Sequence, residues 1–225
     1  EATEDLMRHA NVISKLEQEG VSVSELKSLQ KWYVSQADVE MVMFNIGDVH
    51  DVNADQTTAF TTIFWNQFNA QRGYNSFNLA LAQYLEKALD DNGKFQEFKK
   101  YVKSKGYDWE RNISRFAAGR LDLALQMAKE VDPTLSTDVI RTRILNNEVN
   151  VSVEAFAAEM KEFIENKHNR NFRILFFVDE VSQFIGEHRD LLLQLQSLVK
   201  RLDEVCESRC WIACTAQQTL EEVVT

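Results

Sequence analysis

The chain has 225 residues, 44% of them hydrophobic and 27% charged, with 35 acidic against 25 basic side chains and a formal net charge of −10. That is enough apolar material for one substantial core carrying a helical insertion, while 7 glycines and 1 proline are too few for a turn-rich all-β fold. So acidic a surface repels phosphate backbones on average, and no apolar run approaches the roughly 20 residues that cross a bilayer, which argues against both a general nucleic-acid binder and a membrane-spanning protein.

Residues 3–36 carry Leu6, Ile13 and Leu16, then Leu26, Leu29 and Tyr33, at helical spacing on either side of Gly20, which predicts two helices. A mostly apolar run over 39–46 predicts a strand that ends at Gly47 and opens into an acidic loop, 48–55. From 57 to 167 the pattern is helical almost throughout. Phe60, Ile63, Phe64 and Phe68 predict a helix ended at Gly73, Leu79, Leu85 and Leu89 a second ended at Gly93, and Phe95, Phe98 and Val102 a third. A long helical stretch follows over 109–131, closed by Pro133, and then helices over 136–149 and 152–166 with Ser136 and Ser152 as N-caps. The phenylalanine stripe at 60, 64 and 68 reads as core packing rather than as a platform for bases.

The texture changes at Phe172-Arg-Ile-Leu-Phe-Phe-Val178, a near-continuous apolar run of the kind a strand buried on both faces of a parallel sheet requires. A helix over 189–205, with Leu191, Leu195, Leu198 and Leu202 as its buried stripe, and a strand over 210–215 complete a strand–helix–strand unit. Cys206, Cys210 and Cys214 are spaced like metal ligands, but no fourth ligand stands near them, and Cys214 is expected to point into the sheet core. An odd cysteine count with no secretory signal favours a reducing, cytoplasmic compartment. Glu1 in place of a methionine, and the helical start over 220–225 that simply stops, read as cut ends of a longer soluble polypeptide.

The chemistry is concentrated in Ile174-Leu-Phe-Phe-Val-Asp179-Glu180, where an apolar strand runs into two adjacent carboxylates. The carboxyl edge of a parallel sheet is where such folds bind ligands. A rigid strand tip can hold Asp179 beneath a magnesium ion while Glu180 orients or deprotonates an attacking water, which is the form of a Walker B motif. The next strand leads into Thr215-Ala-Gln217, and both polar residues are candidates to contact a γ-phosphate or the water; Gln217 is favoured as the sensor and Thr215 as a nucleotide contact. The phosphate loop itself, G-x-x-x-x-G-K-[ST], is missing: at Gly93-Lys94, Ala88 occupies the first glycine position and Phe95 the hydroxyl position. It is expected upstream of Glu1. Asp48, His50, Asp51 and Asp55 read as a solvated acidic turn, with Asp55 capping the following helix, and Lys167, His168, Arg170 and Arg173 as a solvated loop.

Phe176-Phe-Val-Asp-Glu-Val-Ser-Gln-Phe-Ile-Gly186, Arg189-Asp-Leu-Leu-Leu-Gln-Leu-Gln196 and Trp211-Ile-Ala-Cys-Thr-Ala-Gln-Gln218 together resemble the large P-loop ATPase of BREX phage-resistance systems, the BrxC type. Phe64-Trp-Asn-Gln-Phe-Asn69, Arg72-Gly-Tyr-Asn-Ser76 and Leu85-Glu-Lys-Ala-Leu-Asp90 are similar to that family as well. The resemblance implies an α/β fold, an incomplete P-loop NTPase (AAA+- or STAND-like) parallel sheet with a large helical insertion: 1–56 as N-terminal helices and second core strand, 57–168 as insertion, 169–225 as Walker B strand, helix and sensor strand. It further implies ATP and Mg²⁺ as cofactors of the intact protein, with neither held tightly by this stretch alone. It implies action with other BREX components, including a DNA methyltransferase, and leaves self-association and DNA contact open. Asp179 would serve the metal, Glu180 the water and Gln217 the sensor. Two rival readings are a non-catalytic helical interaction module and a metal-dependent nuclease, although the latter expects a lysine where Ser182 and Gln183 stand.

Overall fold

In the computed structural model the described residues are 38–49, 56–186 and 188–215, with Ser24 and Ser28 besides. The helices expected over 3–36, together with His50, Asp51, Asp55 and Gln217, lie outside them. In chain order the described helices are α1 (Ile46–Val49), α2 (Ala59–Gln71), α3 (Leu79–Leu81), α4 (Lys87–Asp91), α5 (Phe95–Ser104), α6 (Trp109–Gly119), α7 (Leu121–Val131), α8 (Thr137–Leu145), α9 (Val153–Asn166), α10 (Val181–Ile185) and α11 (Arg189–Cys206). A π-helical segment, Ala82–Glu86, joins α3 to α4. The chain divides into two compact units, Glu1–Phe60 with Ser152–Thr225, and Thr61–Val151.

The first unit is α/β. Its described strands β1 (Asp38–Asn45), β2 (Phe172–Asp179) and β3 (Cys210–Cys214) form a parallel sheet in the order β1-β2-β3. β2 is therefore flanked on both sides, and its apolar run has the partners that such a run needs. The two faces differ, however. Phe172, Ile174, Phe176 and Val178 are buried, whereas Arg173, Leu175 and Phe177 are only half-buried, so the expectation of two fully buried faces holds for one of them. The buried face packs on α9, where Phe156 meets Phe176 at 6.3 Å and Phe163 meets Phe172 at 5.9 Å between ring centroids, both edge-on. α11 lies beside α9 and buries Leu191, Leu195, Leu198, Leu202 and Cys206, the stripe its sequence periodicity predicts with one residue added. Ser152 caps α9 by accepting from the Ala155 N–H at 3.2 Å.

α9 thus belongs with the sheet, and the helical unit runs from 61 to 151 rather than 57 to 168. The reason is the aromatic face of α9, which is used on β2. The expected long helix over 109–131 is two helices, α6 and α7, parted at Gly119 and Arg120, where Arg120 leaves helical geometry at φ −132°. Glycine next to the break removes the helix preference that would carry the chain through. Ser136 precedes α8 but makes no side-chain cap. Phe60, Phe64 and Phe68 of α2 are all fully buried, as a core stripe should be.

The second unit is built on aromatic packing. Trp109 lies between Phe98, at 4.8 Å and edge-on, and Phe116, at 5.1 Å and stacked. Into this core projects Glu86, the last residue of the π-helical segment, with no exposed surface. The Asn75 N–H and the Trp109 Nε1–H each donate to one of its oxygens at 2.6 Å, so the carboxylate ties the 72–78 loop and α6 to the helix that carries it. Burial pushes its pKa up from 4.5 to about 7, against the pull of those two donors and of Lys99 and Arg72.

The folded protein holds this proton to a higher pH than the unfolded chain does. Its contribution is therefore complete below pH 4.5 and is lost as pH rises through about 7. Between pH 5 and pH 8 we expect Glu86 to remove about 2 kcal/mol of stability, a melting temperature lower by roughly 5 °C. Glu86→Gln should flatten that slope in thermal denaturation followed by circular dichroism; an unchanged slope would refute the assignment.

Candidate functional site

β1 and β2 end in register, with Asn45 opposite Asp179, and β3 ends one residue short of Thr215. Three strand tips therefore deliver three polar side chains to the carboxyl edge of the sheet. The edge is knitted by a compact set of hydrogen bonds. The Thr215 hydroxyl donates to Asp179 Oδ1 and accepts from the Glu180 N–H at 3.2 Å. The same Glu180 N–H reaches Asp179 Oδ1 at 3.0 Å. Backbone bonds complete the clasp: the Thr215 N–H donates to the Val178 carbonyl at 3.0 Å and the Val181 N–H to the Thr215 carbonyl at 3.2 Å.

Glu180 stands between β2 and α10 in the left-handed region, at φ 60° and ψ 31°. A residue with a Cβ pays roughly 1 kcal/mol or more for that conformation, so surrounding bonds must hold it there. The turn aims its carboxylate across the sheet edge toward β1 instead of back at the α10 backbone, and no side-chain cap bond forms. There the Asn45 Nδ2 donates to Glu180 Oε2 at 2.7 Å, while Gln183 Nε2 lies at 3.5 Å from Oε1. Asn45 is itself oriented, because its Oδ1 accepts from the Gly47 N–H at 2.8 Å. A Cβ at position 47 would stand 3.2 Å from that oxygen, so the absence of a side chain at Gly47 leaves the carboxamide its place.

Asp179, Glu180 and Thr215 are thus brought together. Asp48 lies in α1, the single turn that follows β1. Asn45 was not singled out by sequence reasoning, which took it as an ordinary residue of a strand; the available signal was a lone carboxamide at the end of an apolar run, just before glycine. Cys214 is exposed and does not point into the sheet core, because it is the last residue of a strand that forms the edge of the described sheet; Cys206 and Cys210 are the buried pair.

Asp179 with the Thr215 hydroxyl is too small a donor set to cage a cation alone, and among the described residues no group of three or more His, Cys, Asp or Glu side chains could hold a metal. Magnesium usually binds through one or two carboxylates and completes its shell with substrate phosphate and water, and this set fits a magnesium ion that arrives with a nucleotide. Among the described residues no helix is long and apolar enough to cross a membrane. No known protein-family model matches the chain, and no solved structure matches it. What stands on its own is a mixed α/β chain with a three-stranded parallel sheet whose carboxyl edge carries a hydrogen-bonded Asp–Glu–Thr–Asn cluster.

Removing the hydroxyl of the clasp tests its strength. Thr215→Val should cost about 1 kcal/mol in urea denaturation, since a bond to a carboxylate is lost, and Thr215→Ser should restore most of it. A valine variant as stable as the parent would show that the hydroxyl holds nothing.

Proposed function

We propose that this chain carries the magnesium- and water-handling half of a P-loop ATPase site, in a protein that hydrolyses ATP to drive conformational change within a bacterial anti-phage (BREX) assembly. The observation that carries the reading is the position of Asp179 and Glu180 at the tip of a strand flanked on both sides by parallel neighbours, with the Thr215 hydroxyl of the following strand bonded to Asp179. Ligands of open α/β sheets sit at the carboxyl ends of the strands, at the point where the winding reverses. The three described strands run in chain order with no reversal among them, which leaves the open edge of β3 as the place for one. A strand added there and carrying the phosphate loop that is absent from these 225 residues would set that loop next to Thr215 and Asp179.

In this reading Asp179 holds the magnesium shell, and its own direction is fixed by Thr215 and by the Glu180 N–H. Magnesium bound with the nucleotide would offset charge on the phosphates. Glu180 accepts the proton of the attacking water, and Asn45 sets where that carboxylate points. Thr215 touches the terminal phosphate or the water, and Gln217, from the segment just beyond it, serves as sensor. The intact protein would work in the cytoplasm with other BREX components, among them a DNA methyltransferase.

In a longer polypeptide that includes the phosphate loop, Glu180→Gln should lower ATP turnover at least ~10²-fold while magnesium–ATP still binds. Asn45→Ala should change turnover with little change in nucleotide affinity. Undiminished hydrolysis by the glutamine variant would remove Glu180 from the chemistry, and metal-dependent DNA cleavage by the chain would favour a nuclease instead.

A further inference from the structure

Cys206 is the last residue of α11 and Cys210 the first of β3. The three residues between them reverse the chain tightly. Glu207 and Ser208 both take left-handed geometry, at φ 53° and 56°. The Ser208 N–H closes on the Asp203 carbonyl at 3.1 Å and the Arg209 N–H on the Cys206 carbonyl at 3.0 Å. The Ile174 N–H then bonds the Arg209 carbonyl at 2.9 Å, which locks the far side of the turn to β2. This wrap brings the two thiols face to face, and they share a hydrogen bond.

The two sulfurs are not equivalent. The bond from Cys210 holds the Cys206 thiol below its ordinary pKa, opposed by burial and helped by the Arg209 charge. The same bond, with burial, pushes Cys210 well up. That is the polarity of an attacking sulfur beside a protonated partner. Cys206 has no exposed surface, but Cys210 forms part of the wall of an open groove of about 670 Å³ between α11 and β3, whose other walls include Leu195, Val199 and Trp211. A solute as small as a peroxide reaches the pair from that side.

We propose that Cys206 and Cys210 form an oxidisable dithiol, which hydrogen peroxide converts to a disulfide across the junction of α11 and β3. The Cys206 thiolate attacks one peroxide oxygen; the O–O bond breaks, hydroxide leaves, and Cys206 becomes a sulfenic acid. The Cys210 sulfur then attacks the Cys206 sulfur, the S–O bond breaks, and the hydroxyl departs as water with the Cys210 proton. Two thiols are oxidised by two electrons in all, and one peroxide is reduced to two waters. The bond pins the root of β3, the strand whose far end presents Thr215 to Asp179. This inference does not depend on the nucleotide reading.

The test uses the full chain carrying Cys214→Ser, which leaves two thiols, exposed to hydrogen peroxide, alkylated and digested with trypsin. Cleavage after Arg209 puts Cys206 and Cys210 on separate peptides, 202–209 and 210–225. The expected product is those two peptides joined within one chain, two hydrogens lighter than their sum, with both free thiols lost and regained on reduction. Cys206→Ser should slow oxidation at position 210 at least tenfold. In the chain with all three cysteines, fragmentation of the joined peptides should locate the same 206–210 bond, which covers the case of a serine variant that fails to fold. Unlinked peptides after the exposed Cys214 of the parent has oxidised, linkage only between chains, or oxidation at 210 that proceeds undiminished without Cys206 would each overturn the proposal.

Discussion

The interaction on which this molecule turns is the clasp between β2 and β3 at their carboxyl ends, where one threonine hydroxyl bonds Asp179 and the Glu180 N–H together. Two carboxylates adjacent in sequence repel each other and would point wherever water takes them. Here the strand holds the first, and a left-handed residue turns the second across the sheet edge to Asn45. Ionised carboxylates that accept hydrogen bonds from fixed donors are held in direction as well as in place. The sheet supplies the rigidity, since β2 is paired on both sides and its buried face rests on the aromatic face of α9.

The helical unit over 61–151 follows a different logic. Its core is aromatic, and its one deeply buried charge, Glu86, sits on a π-helical turn with a backbone amide and an indole as donors. A π-turn rotates the residues beyond it relative to an α-helix, and this is how a glutamate of an otherwise apolar stripe comes to face inward. The carboxylate fastens a loop and a second helix at the expense of stability at high pH. No part of the carboxylate cluster at the sheet edge draws on this unit, so its role in the whole protein is a separate question from the chemistry.

Much of the sheet could be read from the sequence, because β2 is a continuous apolar run ended by two acids, and a buried parallel strand leaves little other choice. Helix positions followed from apolar spacing and from Gly73 and Gly93, which both take positive φ where helices end. Three things were not legible, each for a physical reason. The break at Arg120 depends on how α6 and α7 pack, and a single glycine gave only a weak sign of it. The burial of Cys206 and Cys210 and the exposure of Cys214 depend on where β3 lies in the sheet. Asn45 and Glu180 meet across 135 residues of chain, and no local pattern reports such a pairing. Thr215, by contrast, stood out as a polar residue after an apolar strand, and it is where the clasp closes.

The most direct test of the account is a crystal structure of a longer polypeptide with the phosphate loop, magnesium and a nucleotide bearing a planar γ-phosphate mimic. The account predicts the nucleotide at the carboxyl edge beside β3, Asp179 on the magnesium shell, and a Glu180 oxygen about 3 Å from the attacking water. A nucleotide bound elsewhere, with the clasp of Asp179, Glu180 and Thr215 facing bulk solvent, would contradict it.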